Sequence, residues 1–311
     1  MQGEIVRVCL SEQRGPKFPV EEACLVQGMG FRGDVHAGST HRQVSLLSEE
    51  RVGAFSRGTG SPEPGAFGEN LRVRGIDMSL LGVGTLLEIG DRALCEVKQI
   101  GKGCVIPCEI GRSLGHCLMP EEGVFCVALQ SGAVRAGMKI AVRREVSRSV
   151  PQAVCLTVSD RRSRGENADE TGPLLKKVLE DAGWHVSGIY LAPDRQEAIV
   201  SFLEEWSEPG RTDVIFTAGG TGFSQRDVTP EATRSVLDRE APGLAEAMRF
   251  LGSQRTHRAW LSRGVAGIRG RTLIVNLPGS PKGARESLEC VLAPLVHGVA
   301  VLRDSISNCA T

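Results

Sequence analysis

The sequence predicts two domains of different class: a mainly β, barrel-like domain followed by a three-layer α/β domain with a mostly parallel sheet. The chain has 311 residues, which is long for one domain. Short apolar runs separated by glycine fill the first half, whereas strand-like and helix-like segments alternate in the second. Residues 143–152 are charged and serine-rich and contain Pro151. We therefore expect domains at 1–146 and 151–311.

The first domain is expected to be built from short strands. Their predicted positions are Met1–Arg14, Leu71–Arg74, Leu86–Ile89, Leu94–Ile100, Val124–Leu129 and Lys139–Val142. Glycine between such runs is typical of a β-barrel. Gly53–Gly68 is rich in serine, proline and glycine, which predicts an exposed loop.

The second domain is expected to alternate strands with helices. Predicted strands are Ala153–Val158, His185–Leu191, Val214–Thr217 and Thr272–Asn276. Predicted helices are Thr171–Ala182, Asp194–Trp206, Pro230–Arg239, Leu244–Phe250 and Gly283–Leu302, with a polar loop at Ser159–Glu170. This order predicts a parallel sheet between helices, with ligands bound at the carboxyl ends of the strands.

Composition narrows the function classes. Basic and acidic residues balance at 37 each and aromatic residues make up 4%, which argues against a nucleic-acid binder. The N-terminus resembles a strand rather than a signal peptide, and no apolar run is long enough to span a membrane. We therefore expect a cytoplasmic protein whose ten cysteines are reduced.

Three loops of the second domain follow strands directly and are expected to converge at one sheet edge: Ser159–Arg161, Gly219–Gly222 and Asn276–Pro281. Consecutive glycines beside Thr221 allow backbone N–H groups to approach a phosphate. Asp227 and Asp194 offer carboxylates for Mg²⁺. Asn276 and the turn of Pro278, Gly279, Ser280 and Pro281 offer groups suited to a base or pterin edge.

Structural alternatives remain open for each of these features. Glycine pairs also form tight strand-to-helix turns. Asp194 and Glu197 have the spacing of a capping box, and Thr229 before Pro230 has the pattern of an N-cap. Asp160 could pair with a neighbouring arginine.

Residues 153–304 resemble the molybdopterin-binding family that includes MogA, MoaB and the G domain of gephyrin. The matching positions are Val158–Arg161, Gly165, Asp169, Gly172, Thr217–Glu231, Pro242-Gly243, Glu246, Leu261–Arg263 and Asn276–Lys282. The resemblance implies transfer of AMP from Mg·ATP to the terminal phosphate of molybdopterin, with Asp194 and Asp227 as the acidic pair. It implies ligand contacts at Ser159, Asp160, Gly219, Gly220, Thr221, Gly222, Ser224, Glu246, Ser262, Asn276, Pro278, Gly279, Ser280 and Pro281. It also implies a homo-oligomer, by analogy a trimer.

The first domain carries two further features. His36 and Arg42 lie close to glycine turns, with Asn70 further along, and such residues can form an anion-binding pocket. Cys104, Cys108 and Cys117 could carry sulfur, bind metal or be buried apolar residues. Zinc is the competing interpretation, but intervals of three and eight residues do not match paired C-x-x-C ligands.

These residues resemble the MOSC family, the β-rich domains found at the ends of molybdenum-cofactor sulfurases. The matching stretches are Gly30, Gly33-Asp34, His36–Gly38, Arg42–Ser45, Gly68–Asn70, Ile100–Cys104, Met119-Pro120 and Gly123. The resemblance implies cofactor binding or sulfur transfer on Cys104, with a sulfur donor and other molybdenum-cofactor biosynthesis proteins as partners. The alternatives are a non-catalytic carrier of molybdopterin and a reductase that uses bound molybdenum cofactor.

Overall fold

A computed structural model describes residues 1–55, 62–104, 112 and 115–303 of the chain. The chain divides into two compact units, Met1–Val150 and Pro151–Thr311. Each unit has its own apolar core, built around Leu46 and Val97 in the first and around Phe216 and Val275 in the second. Within the described ranges, no helix is long and apolar enough to cross a bilayer.

Seven strands of the first unit close into a barrel. The strands of this unit are β1 (Gln2–Leu10), β2 (Phe18–Val20), β3 (Glu22–Val26), β4 (Gly30–Phe31), β5 (Val44–Ser48), β6 (Leu71–Arg74), β7 (Leu86–Ile89), β8 (Ala93–Ile100), β9 (Val124–Gln130), β10 (Gly132–Arg135) and β11 (Lys139–Arg144). The order around the barrel is β11-β7-β8-β9-β5-β6-β1, and β11 pairs again with β1. β5 and β6 are parallel, and the other neighbours are antiparallel. The barrel-like class that the sequence predicts is confirmed.

Helices cover one part of this barrel, where the sequence prediction needs a correction. They are α1 (Glu49–Phe55), α2 (Met119–Glu122) and a 3₁₀ turn at Met78–Leu80. The predicted exposed loop Gly53–Gly68 is wrong at two places: α1 extends to Phe55, and Phe67 is buried. Residues 62–68 form no helix or strand, as predicted. Phe67 packs edge-on against Phe55, with ring centroids 5.3 Å apart, in a small cluster that includes Met119.

The second unit is a six-stranded sheet between helices. Its strands are β12 (Gln152–Val158), β13 (His185–Ala192), β14 (Val214–Ala218), β15 (Arg239–Glu240), β16 (Ala266–Arg269) and β17 (Thr272–Leu277). Its helices are α3 (Asp160–Ser163), α4 (Thr171–Asp181), α5 (Gln196–Trp206), α6 (Thr229–Val236), α7 (Pro242–Ser253) and α8 (Pro281–Leu302), with a 3₁₀ turn at His257–Leu261. The order is β13-β12-β14-β17-β16-β15. The first four strands are parallel, so their carboxyl ends lie along one edge.

Candidate active site

The loops after β12 and β13 are fastened to each other by two aspartates. The N–H of Asp160 donates to Oδ2 of Asp194 at 2.8 Å, and the N–H of Asp194 donates to Oδ1 of Asp160 at 3.0 Å. Ser159 caps α3 and accepts a hydrogen bond from the N–H of Arg162 at 3.4 Å. The capping-box interpretation of Asp194 is wrong: Arg195 takes the N-cap position of α5, without a side-chain cap, and Asp194 bonds to the neighbouring loop.

The glycine loop after β14 is held in a conformation that only glycine adopts easily. Gly219 has φ +114° and Gly220 has φ +61°. The N–H of Gly219 donates to the carbonyl of Leu277 at 3.2 Å. In the part of the chain that the structure describes, the N–H groups of the next three residues, Gly220, Thr221 and Gly222, donate to no protein atom. Three consecutive open N–H groups suit an anion.

Asp227 lies against this loop. Its Oδ2 accepts a hydrogen bond from the N–H of the exposed Ser224 at 2.9 Å. A Cβ at Gly222 would come within 2.8 Å of the same oxygen. The absence of a side chain at Gly222 therefore allows the Asp227 carboxylate to pack directly on the glycine loop.

Arg263 holds the glycine loop through hydrogen bonds, a role that the sequence did not reveal. Its guanidinium donates to the carbonyls of Gly222, at 2.6 Å, and Asp227, at 2.5 Å, and it pairs with Glu231. Its N–H donates to the carbonyl of Thr221 at 2.9 Å. The only available signal was its place in the Leu261–Arg263 stretch, because the three partners of its guanidinium lie 32 to 41 residues away.

The third loop, Asn276–Pro281, approaches the glycine loop through Gly279 and not through Asn276. A Cβ at Gly279 would lie 3.1 Å from Cα of Gly219, so the two loops are in contact. Asn276 is 1% exposed, and its amide donates to the hydroxyls of Thr217 and Thr233, both at 2.9 Å. Its Oδ1 accepts from the N–H of Val265 at 3.1 Å. The expectation that Asn276 contacts a ligand is not supported, because its donors and its acceptor already have partners inside the fold.

The other residues predicted to contact a ligand differ in how close they lie to the three loops. Ser280 caps α8 and accepts from the N–H of Gly283 at 3.2 Å, with half-buried Pro278 and Pro281 on either side of the turn. Ser262 accepts from the N–H of Gly264 at 3.3 Å, next to Arg263. Glu246 is exposed on α7, and no hydrogen bond or ion pair among the described residues joins it to the three loops.

Asp194 lies in an environment that disfavours its charged form. Burial raises the pKa of the Asp194 carboxyl, and the nearby charges of Asp160 and Asp227 raise it further, against the opposing hydrogen bond from Asp160 N–H. No cluster of three or more metal-ligand side chains occurs among the described residues. Two carboxylates are nevertheless the usual protein contribution to a Mg²⁺ that also binds phosphates and water, so the donor set fits that ion.

In the first unit, the predicted anion pocket is organised around a buried carboxylate. Both oxygens of Asp34 accept from Nζ of the fully buried Lys17, at 2.8 and 2.7 Å. Asp34 also accepts from Nδ2 of Asn70 at 2.9 Å, so Asn70 is structural. His36 lies at the surface, with its side chain 43% exposed and its Nδ1 3.3 Å from Asp34 Oδ1. Among Lys17, Asp34, Asn70 and His36, the side chain that a ligand could reach is therefore that of His36.

Arg42 and the cysteines complete the predicted set. Arg42 is half-buried, and its N–H donates to Oγ of Ser39 at 3.3 Å. Cys104 is exposed and Cys117 is half-buried, whereas Cys108 lies outside the described residues. The predicted sulfur-carrying position is thus accessible to solvent.

Two family models match parts of this chain. Residues 154–298 match the family model described as a probable molybdopterin binding domain, and residues 33–141 match the MOSC domain. The molybdopterin adenylyltransferase of Helicobacter pylori (strain 26695) is 37% identical over 149 residues, which cover 47% of this chain and 85% of that protein. The chain belongs to the molybdopterin adenylyltransferase family.

Two further proteins are similar over about half of this chain. The molybdenum cofactor synthesis protein cinnamon of Drosophila melanogaster is 40% identical over 154 residues, 49% of this chain and 26% of that protein. This chain thus spans about a quarter of that relative. The crystal structure of the molybdopterin biosynthesis enzyme MoaB from Thermus thermophilus is 51% identical, with a TM-score of 0.48, and covers 50% of this chain and 98% of its own.

Proposed function

We propose that the second domain adenylylates molybdopterin, transferring AMP from Mg·ATP to its terminal phosphate and releasing pyrophosphate. The observation that carries this proposal is the convergence of an open N–H cradle at Gly220–Gly222 with the carboxylates of Asp194 and Asp227. Phosphate and cation ligands at one sheet edge are what nucleotidyl transfer requires. Membership of the molybdopterin adenylyltransferase family supports the choice of substrate.

Each group has a distinct role in this reaction. The N–H groups of Gly220–Gly222 hold phosphate oxygens, and Arg263 keeps that loop in place. Asp194 and Asp227 hold Mg²⁺, which supplies charge neutralisation to the triphosphate when bound. An oxygen of the molybdopterin phosphate bonds to the α-phosphorus while the bond to the bridging oxygen of pyrophosphate breaks. No general base is needed, because the attacking phosphate is already ionised.

An Asp227→Asn variant tests the assignment. We expect a loss of turnover of about 100-fold or more, because Mg²⁺ would lose one of its two carboxylate ligands, with molybdopterin affinity largely retained. The measurement is mass spectrometry of adenylylated molybdopterin after incubation with Mg·ATP. The exposed Asp181 provides the control, since Asp181→Asn makes the same chemical change at the end of α4. Full turnover by Asp227→Asn would reject the assignment, and a wild type that binds molybdopterin without forming product would favour the carrier.

We also propose that the MOSC domain handles the cofactor or its sulfur, with His36 and Arg42 near the ligand and Cys104 as the sulfur-carrying residue. The exposure of Cys104 and of the His36 ring supports this role. The expected result is labelled persulfide on Cys104 after incubation with a protein that carries a labelled persulfide, because the Cys104 thiolate takes the outer sulfur and the donor leaves as a thiol. Stoichiometric molybdenum in the purified protein, with no such label, would favour the reductase.

A further inference from the structure

Thr229 carries a hydroxyl that the fold does not use. It is the first residue of α6 and is completely buried. The N-cap interpretation of Thr229 is wrong, because Val228 holds that position and no side chain caps the helix. Oγ1 of Thr229 is sealed from solvent and has no hydrogen-bond partner in the described part of the chain. Its backbone N–H, by contrast, donates to the carbonyl of Gly220 at 3.1 Å.

A buried hydroxyl without a partner destabilises the folded protein. Valine has nearly the same shape and would remove that penalty, so stability alone gives no reason for threonine at position 229. Such a group in a native structure calls for a partner that binds or moves into reach.

The space in front of the Thr229 hydroxyl leads to Asp194. A Cβ at Gly220 would lie 2.3 Å from Oγ1 of Thr229 and 3.4 Å from Oδ1 of Asp194, so both oxygens border the same small volume. Oδ2 of Asp194 already accepts from Asp160 N–H, whereas Oδ1 accepts no hydrogen bond from any described residue. Gly220 keeps this volume open because it has no side chain.

We propose that Thr229 is a positioning residue for the cation site: its hydroxyl donates to Asp194 Oδ1, directly or through one water, when a divalent cation is bound. Asp160 N–H would then fix one carboxylate oxygen and Thr229 the other, so that Asp194 presents a single orientation to the ion. Groups of this kind orient metal ligands, and their loss typically lowers metal affinity about 10- to 100-fold. The inference rests on the proposed function, since it assumes that Asp194 is a cation ligand.

The test measures Mn²⁺ affinity of the full chain by electron paramagnetic resonance, with α,β-methylene ATP as the nucleotide. We expect Thr229→Val to bind Mn²⁺ about 10-fold more weakly while its Tm stays equal to or above that of the wild type. Thr229→Ser should restore the affinity to within about twofold, because it keeps the hydroxyl. If valine prevents folding, Thr229→Ala replaces it in the comparison with serine.

Thr272→Val is the matched control. Thr272 is also buried, but its hydroxyl donates to the carbonyl of Thr212 at 2.9 Å and it lies at the opposite end of β17 from the site. This variant should lower Tm and leave Mn²⁺ affinity unchanged.

Two outcomes would overturn the inference: unchanged Mn²⁺ affinity in Thr229→Val, or no Mn²⁺ binding by the wild type. Adenylylation by the wild type together with unchanged affinity in the variant would overturn the role of Thr229 and leave the proposed function standing. Mn²⁺ binding that depends on Thr229, without formation of product, would support the role of Thr229 and overturn the proposed function.

Discussion

Asp34 shows how one buried carboxylate organises the surface residues of the MOSC domain. Burial alone would raise its pKa, but hydrogen bonds from His36 and the charge of Lys17 outweigh that effect and hold the pKa of Asp34 well below its usual range. The ionised form is therefore the one that stabilises the fold. Because Asp34 also holds His36 Nδ1, the same ionisation fixes the orientation of the exposed imidazole.

We expect Asp34→Asn to be less stable than the wild type by about 3 kcal/mol at pH 7, because Lys17 is left buried without its counter-charge. A carboxyl whose pKa is lowered by folding stabilises above its unfolded pKa, and this contribution disappears as the pH falls toward the folded value. The difference between the two proteins should therefore shrink below about pH 4. Urea unfolding between pH 2 and 7 measures it. Asp91→Asn, at an exposed turn of the same domain, should show no such change.

At the scale of single residues, the sequence did not predict which polar side chains are buried. Asn70 and Asn276 were expected to face ligands, and both are buried with their amides bonded internally. Asn276 bonds to residues 43 and 59 positions away and Asn70 to Asp34, 36 positions away, so local spacing could not reveal these partners. Residue type indicated polar chemistry, whereas burial decided whether that chemistry faces a ligand.

At the scale of elements, the glycine loop after β14 is the most constrained segment of the site. Gly219 combines positive φ with close packing, since a Cβ there would lie 2.3 Å from the carbonyl oxygen of Val158. Both the backbone conformation and the available space therefore exclude a side chain. The loop is thus fixed before any phosphate arrives.

Gly219→Ala should destabilise the protein by about 1–3 kcal/mol through backbone strain, and adenylylation should fall with it because the N–H cradle is displaced. Gly243 is the matched control, because it lies in α7 and a Cβ there would meet no atom within 4 Å. Gly243→Ala should raise stability by about 0.5–1 kcal/mol. Thermal unfolding and product assays of both variants compare them, and wild-type stability in the Gly219→Ala variant would contradict the strain argument.

The positions of helices and strands were more predictable from the sequence than the structure of the loops that form the candidate site. Hydrophobic patterning predicted α4 at Thr171–Ala182, one residue longer than observed, and the last strand to within one residue. The short helix α3 inside the expected loop was missed. Hydrophobic patterning predicts which face of an element is buried. The hydrogen bonds of Asp194 and Thr229 depend instead on contacts between segments that are distant in the sequence.

At the scale of the whole molecule, each unit forms its own hydrophobic core. The apolar cluster around Leu46 draws only on residues of Met1–Val150, and the cluster around Phe216 only on residues of Pro151–Thr311. Units of this size with complete cores can fold alone.

We therefore expect fragments 1–150 and 151–311, expressed separately, each to unfold cooperatively. Fragment 151–311 should retain Mg·ATP-dependent adenylylation, since all residues assigned to that reaction lie within it. Circular dichroism melting and the product assay test both statements. A fragment 151–311 without a cooperative transition would show that the domain boundary is misplaced.

In the barrel, the parallel pairing of β5 with β6 has a consequence for how the barrel can change during evolution. Around a closed ring, strand direction reverses at each antiparallel step, so an odd number of strands cannot close by such steps alone. With seven strands, one parallel step is a requirement of parity, and parallel neighbours need a crossover rather than a hairpin. The connection from Ser48 to Leu71 is therefore a crossover and not a hairpin, and Glu69 and Asn70, just before β6, are buried. Trimming that segment to a tight turn would require gaining or losing a strand.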